Sequence, residues 1–370
     1  MNTLSAFTHP FVKRVVKKIF PGLRQTHLEN LSLGIFGQIK SQSGLMSEIV
    51  RYVPGTIMHK HRLKRLWRFL SNAKFNPVSL RIYWVNWCIR TFCPDEIIKV
   101  AMDWTTLPGN IQCLMIAIPF HGRAIPLLWQ LVMHKDIKDS QNMIEERLVA
   151  RLVNLVKEGS PEKKLLLTAD RGFGRATLFQ FLIKKEVQFA IRVKGDVQVK
   201  TQGKTIMLRK LGKKLLPNTS VWYENISYRS DGKVTGVNLA AVVAPEEEGK
   251  ESDPWFLITN LPTGEEAIKR YEERFHIEEW FKDMKHQLGI AQIQTKNLKR
   301  VRRLLFLATV SFGILMVVGN VADSLEDIHD QLITGGKKVA SRIWFALKFI
   351  KHNLAGRAFF AEVYKAVGEP

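Results

Sequence analysis

The chain has 370 residues, 46% of them hydrophobic, enough for a substantial core and two or three structural units, which excludes a disordered protein. Its formal net charge of +22, with a pI near 9.9, points to a polyanionic partner. Cys88, Cys93 and Cys113 have no metal-ligand or redox spacing and leave an odd count, which argues against disulfides and for a reducing compartment. Lys13, Arg14, Lys17 and Lys18 interrupt the stretch where a signal peptide would need an apolar run, so a cytoplasmic protein is expected.

Residues 1–94 carry 15 Lys or Arg against only Glu29 and Glu48, a balance of +13. Short helices are predicted there, broken at Pro21-Gly22, at residues 41–44 and at Pro54-Gly55. The clearest is TIMHKHRLKRLWRFLSN. Leu63, Leu66, Trp67 and Leu70 repeat at helical spacing on one side, and His61, Lys64, Arg65 and Arg68 on the other. One face is expected to pack and the other to meet phosphate. Two readings stand open, a recognition helix in a helical DNA-binding domain and an ordinary basic surface helix.

From Asp95 the pattern changes to strands. EIIKVAMDW, IQCLMIAIPF and AIPLLWQLV are separated by Pro-Gly-Asn and His-Gly-Arg turns. A helix is expected over 140–158, then the strand KLLLTAD, a Gly-rich turn RGFG, a helix to about Lys185 and the strand VQFAIRVK. This order predicts an α/β layer with Asp103 and Asp170 at the carboxyl ends of buried strands, where such sheets place their ligands. Taken singly, either Asp would also suit a helix cap or a turn. Between Gly195 and Pro254, SVWYENISYR and KVTGVNLAAVV flank Asp231-Gly232, a hairpin signal, and PEEEGKESDP closes a β insertion. WFLITNL supplies one more strand.

A helix is expected to begin near Thr263, where Thr-Gly-Glu-Glu offers a cap, and to run through YEERFHIEEWFKDMK. Tyr271, Arg274, Glu278 and Lys285 lie at offsets of 0, 3, 7 and 14. They fall within about 60° of one another on a continuous α-helix. Glu279 lies about 100° and Asp283 about 140° from Glu278, which favours Glu278 as the ligand on that face. The same charges would also suit a solvated helix with interlaced ion pairs. Leu304 to Ala322 is an uncharged run of 19 residues preceded by Lys299, Arg300, Arg302 and Arg303. Its length admits a membrane span, but its Thr, Ser, Gly and Asn content fits a buried core helix better. A final helical region, SRIWFALKFIKHNL, follows.

The Tyr-Arg-Glu-Lys spacing of Tyr271, Arg274, Glu278 and Lys285 resembles the signature of bacterial cut-and-paste insertion-sequence transposases of the DDE class. MDWTTL around Asp103 and TADRGFG around Asp170 are similar to that family's first and second aspartate contexts, and the β segment resembles its insertion. The resemblance covers roughly residues 30 to 320. It implies an α/β ribonuclease-H-like catalytic core with a β-strand insertion, preceded by an all-helical DNA-binding domain and followed by C-terminal helices. The corresponding boundaries are 1–94 for the DNA-binding domain, 95–194 and 255–322 for the core, 195–254 for the insertion and 323–370 for the C-terminal segment.

Several roles follow from the resemblance. Asp103, Asp170 and Glu278 would hold two Mg²⁺ ions, for which Mn²⁺ can substitute, because three converging carboxylates need divalent counter-charge and hard oxygen donors select such ions. A nick at the transposon end would be followed by a DNA hairpin, its reopening and strand transfer into target DNA. Tyr271, Arg274 and Lys285 would bind backbone phosphates, and Trp255, better placed than Trp222, would stack on a flipped base. A strand-start aromatic such as Trp255 would equally suit a core. The implied partners are double-stranded DNA and, on DNA, a second copy of the chain; the implied location is the cytoplasm, at the nucleoid, with no membrane. A silent DNA-binding regulator and a structure-selective nuclease on the same core are the alternatives.

Overall fold

A computed structural model describes residues 7–229, 234–243, 253–323, 342–352 and 357–368. Apolar runs bounded by turn residues become strands, as expected. β1 (Ile97–Leu107), β2 (Ile111–Phe120) and β3 (Arg123–Met133) form an antiparallel meander. Its two turns use left-handed backbone at Gly109-Asn110 and His121-Gly122. Helix α6 (Gln141–Gly159) leads to β4 (Lys164–Ala169), and α7 (Ala176–Lys184) leads to β5 (Gln188–Val193). β4 lies parallel to β1, and β5 parallel to β4.

The sheet order is β3-β2-β1-β4-β5-β10-β9-β8-β6-β7. Its first five strands have the order and directions of a ribonuclease-H-like core. The predicted insertion does not stand apart from it. β6 (Gln198–Thr201), β7 (Lys204–Met207), β8 (Ser220–Tyr228) and β9 (Val234–Val242) continue the same sheet, joined to β5 through β10 (Trp255–Thr259), with a short helix α8 (Leu208–Gly212) between β7 and β8. The Asp231-Gly232 turn and most of the acidic loop lie outside the described residues.

Alternation along the strands divides the sheet into two faces. Leu166, Ala190, Ala240 and Leu257 point to α9 (Gly264–Glu272), whose Ala267 and Tyr271 cover them. Leu167, Phe189 and Ile191 belong to the main core on the other side, where Phe179 of α7 stacks on Phe189 at 5.4 Å. Helix α10 (His276–His286) crosses β1, β2 and β3, with the Trp280 indole N–H donating to Met115 Sδ at 3.0 Å.

In the N-terminal quarter the helices are α1 (His9–Ile19), α2 (Gln25–Ser41), α3 (Met46–Ile49), α4 (His59–Ser71) and α5 (Arg81–Phe92). They share one hydrophobic core with the sheet and with α11 (Leu298–Asp323), α12 (Arg342–His352) and α13 (Arg357–Gly368). α11 contains the long apolar run. It is long and apolar enough to cross a membrane, yet 89% of its most apolar window is buried inside the protein. Arg303, near its start, explains how α4 is held, since its guanidinium donates to the carbonyls of Leu70, Asn72 and Phe75 at 2.7–2.9 Å. Trp87 Nε1 of α5 donates to Val367 O at 3.0 Å, fastening the C-terminal helix to the N-terminal ones.

Candidate active site

Asp103 lies in the middle of β1, not at its end as the sequence suggested, because alternating Thr105 and Leu107 carry the strand on along β2. What ends near Asp103 is the parallel ladder to β4, whose last pair is Met102 with Ala169. Asp103 and Asp170 are the next residues on two strands about 4.8 Å apart. Both fall on the sheet face that α9 and α10 cover. Asp170 starts a single 3-10 turn, Arg171–Phe173, and its Oδ1 accepts the Gly172 N–H at 2.8 Å. The turn is tightly seated. A Cβ on Gly174 would lie 2.9 Å from Arg192 O, so glycine is needed there, and the Tyr228 hydroxyl donates to Gly174 O at 3.0 Å.

The expected continuous helix over the Tyr-Arg-Glu-Lys residues is broken. A 3-10 turn, Glu273–Phe275, separates α9 from α10. Such a turn advances about 120° per residue and redirects the side chains that follow it. Tyr271 and Arg274 are buried, 1% and 4% exposed, while the Glu278 side chain is 46% exposed and Lys285 is half-buried. Arg274 lies inside the site. Its Nη2 donates to Glu278 Oε1 at 2.8 Å, its Nη1 lies 3.5 Å from Asp103 Oδ2, and its guanidinium stands over the Tyr271 and Phe275 rings at 5.4 and 4.3 Å. Lys285 lies in the last turn of α10, close enough to Cys113 for its charge to oppose the upward push that burial gives that thiol.

The electrostatics place the three acids in one field. Burial pushes the Asp103 carboxyl up to about 6; the negative charges of Asp170 and Glu278 add to the rise, while Arg274 and the Trp104 N–H work against it. Burial also raises the Tyr271 phenol, with Arg274 and Arg192 opposing and Asp170 adding. Among the described residues, no three His, Cys, Asp or Glu side chains are gathered into a ready metal-binding group. The donor set nevertheless suits a hard divalent cation, being all oxygen, and a positive charge already spans two of its three members.

The neighbouring acids have other partners. Asp283 is buried and accepts from Arg123 at 2.6 Å, and Glu279 lies 3.6 Å from Arg123 and beside Lys282. Trp255, half-buried at the start of β10, meets Tyr271 edge-on at 5.1 Å and Phe275 at 5.7 Å. On α4, Lys64, Arg65 and Arg68 are exposed, Arg65 donating to Asn30 Oδ1 at 2.8 Å. Trp67 departs from the expected packing face. It is 42% exposed beneath the Arg300 guanidinium, 3.8 Å from the ring centre, and Phe69 is buried in its stead.

Two features were not legible as local motifs. Adjoining clefts beside Asp170 bring Arg171, Arg192, Lys194, Arg209 and Arg229 together, with Asp253 pairing Arg192 at 2.6 Å and Arg171 at 3.6 Å. These cations are spread over almost sixty residues of sequence. On the far side of the sheet, the buried Glu145 carboxylate of α6 holds both Trp104 and Arg175.

A search of the curated proteins found no match. The family model of the transposase DDE domain matches residues 95–312, more than half of the chain and the span from the start of β1 into α11. Its match contains Asp103, Asp170 and Glu278, and the chain belongs to the family of transposases with a DDE domain.

Proposed function

We propose that this transposase cuts and joins DNA at the ends of an insertion sequence, with Asp103, Asp170 and Glu278 as the ligands of two divalent cations, Mg²⁺ or Mn²⁺. The observation that carries the reading is the approach of two acids on adjacent parallel strands to a third on α10, with Arg274 bridging Asp103 and Glu278. Such ions, when bound, polarise phosphoryl oxygens and ease both the attack and the departure of oxygen at phosphorus. The chain's own residues supply the rest. The three carboxylates hold the cations on one sheet face. Arg274, released from the acids as cations arrive, becomes free to meet a phosphate. Tyr271, beneath the Arg274 guanidinium, and Lys285, farther along α10, would contact backbone phosphates, and the cationic clefts beside Asp170 would line the route of the strand.

The finer steps belong to the same proposal: nicking of the terminal inverted repeat, hairpin formation, reopening and strand transfer. Trp255 would stack on the flipped base. It is half-buried against Tyr271 and Phe275 beside the site, and an aromatic ring there suits stacking on a base. Residues 1–94, with Lys64, Arg65 and Arg68 exposed on α4, would dock the transposon end, and two copies would act on two ends. A cytoplasmic location at the nucleoid follows from a DNA substrate.

The test is incubation of the protein with a plasmid carrying the element's ends and Mg²⁺. Excised linear fragment and hairpin ends are expected from the wild type. Glu278→Ala should bind the same DNA about as well and release nothing, because it removes a metal ligand and leaves the phosphate contacts. Binding without cleavage by the wild type would instead make the protein a silent regulator. Cutting of branched DNA lacking those ends would make it a structure-selective nuclease.

A further inference from the structure

Successive residues of a strand face opposite ways, so while Asp103 points toward α10, Trp104 points through the sheet toward α6. There its indole N–H donates to Glu145 Oε1 at 2.9 Å. The same oxygen accepts the Gln141 amide at 2.9 Å, and Glu145 Oε2 accepts from the Arg175 guanidinium. Glu145 is completely buried. A carboxylate in that position is costly unless fully paired, and an apolar side chain would stabilise a helix seated on a sheet at least as well. Its partners explain why a charge is kept there. Trp104 is bonded to Asp103, and Arg175 follows Asp170 by five residues in the turn pinned by Gly174.

The backbone ladder between β1 and β4 stops at Met102 and Ala169, one residue short of both acids. Beyond that point no β1–β4 pairing holds the spacing of Asp103 and Asp170. We propose that Glu145 is a positioning residue of the active site: it ties the back of β1 to the turn after β4 and so sets the separation of the two aspartates on the front. This rests on the reading of Asp103 and Asp170 as metal ligands. Arg175 has its charge engaged inside the protein by Glu145, by Glu146 at 3.4 Å and by the Asn142 carbonyl at 3.3 Å. It serves the clamp and not a DNA strand.

The experiment measures Mn²⁺ binding by full-length protein without DNA, from the spin-resonance signal of free Mn²⁺, beside the thermal unfolding midpoint. Glu145→Gln keeps the shape and loses the charge. Trp104→Phe keeps an aromatic ring, though a smaller one, and loses the N–H, and decides the question alone should Glu145→Gln not fold. Leu152→Ala, a buried position farther along α6, controls for simple loss of stability. Glu145→Gln should weaken Mn²⁺ binding about tenfold, as loss of a supporting group behind metal ligands does, with Trp104→Phe showing a smaller loss in the same direction and Leu152→Ala none. Wild-type Mn²⁺ affinity in both Glu145→Gln and Trp104→Phe, with Asp103→Asn abolishing binding, would overturn the clamp alone, as would an equal loss in Leu152→Ala. Mn²⁺ binding that survives Asp103→Asn would overturn the metal site and the clamp with it.

Discussion

Arg274 Nη2 lies 2.8 Å from Glu278 Oε1, so the carboxylate assigned to a metal ion is paired with a guanidinium of its own chain. A divalent cation arriving at Glu278 would compete with that guanidinium for the carboxylate. Arg274→Gln removes the internal competitor and should tighten DNA-free Mn²⁺ binding by roughly tenfold, equivalent to about 1.4 kcal/mol. It should also lower the unfolding midpoint of metal-free protein, since Asp103 and Glu278 lose their counter-charge, and Mn²⁺ should restore it. Unchanged Mn²⁺ affinity, measured by calorimetry, would remove the idea that Arg274 and metal share the site.

Asp103 gives a pH dependence whose sign is fixed by its raised carboxyl, at about 6 in the folded chain against 3.8 ordinarily. Between these values the folded state holds a proton that the unfolded state has released. Stability from this group is therefore fully present below about pH 4 and lost as pH rises through about 6. The unfolding midpoint of Asp103→Asn relative to wild type, without metal, should climb across that window and level off above it. A difference that stays flat from pH 4 to 8 would contradict the burial of this carboxyl. Mn²⁺ affinity should rise over the same window, because the metal needs the ionised form.

Lys64, Arg65 and Arg68 are exposed on α4 and contribute little to the fold. Replacing all three with alanine should change stability by less than about 1 kcal/mol. If each meets a phosphate, the slope of log affinity against log salt should become shallower by about 0.9 per contact. An unaltered slope in a binding titration would make α4 an ordinary surface helix.

Much of the framework was legible before any coordinates. Apolar runs such as IQCLMIAIPF, punctuated by glycine and proline, have few alternatives to buried strands, and Thr263 caps α9 by accepting the Glu266 N–H, as its sequence suggests. The break at residues 273–275 was not legible. No glycine or proline marks it, and the run YEERFHIEEW reads as one helix, so it becomes visible only where Arg274 turns toward Asp103. Glu145 was hidden for a different reason. Its spacing to Leu148, Val149, Leu152 and Val153 puts it on the packed face of α6, but the partners that satisfy a carboxylate there come from β1 and the turn after β4, which no local pattern in QNMIEERLV names.

Trp255 separates packing from chemistry. Trp255→Ala removes edge-on contact with Tyr271, costing about 0.5–1.5 kcal/mol in stability beyond the lost area. In a time course on end-containing DNA, the hairpin step should slow more than the first nick. Equal slowing of both would leave Trp255 as a packing residue only.

The most direct measurement is anomalous diffraction at a wavelength sensitive to manganese, from crystals of the protein bound to an end-bearing DNA in excess Mn²⁺. Manganese density in contact with the carboxylates of Asp103, Asp170 and Glu278 is predicted, with the Arg274 guanidinium moved off Asp103 onto a phosphate. Arg274 still bridging Asp103 and Glu278 under saturating Mn²⁺, with no manganese beside the three acids, would contradict the account.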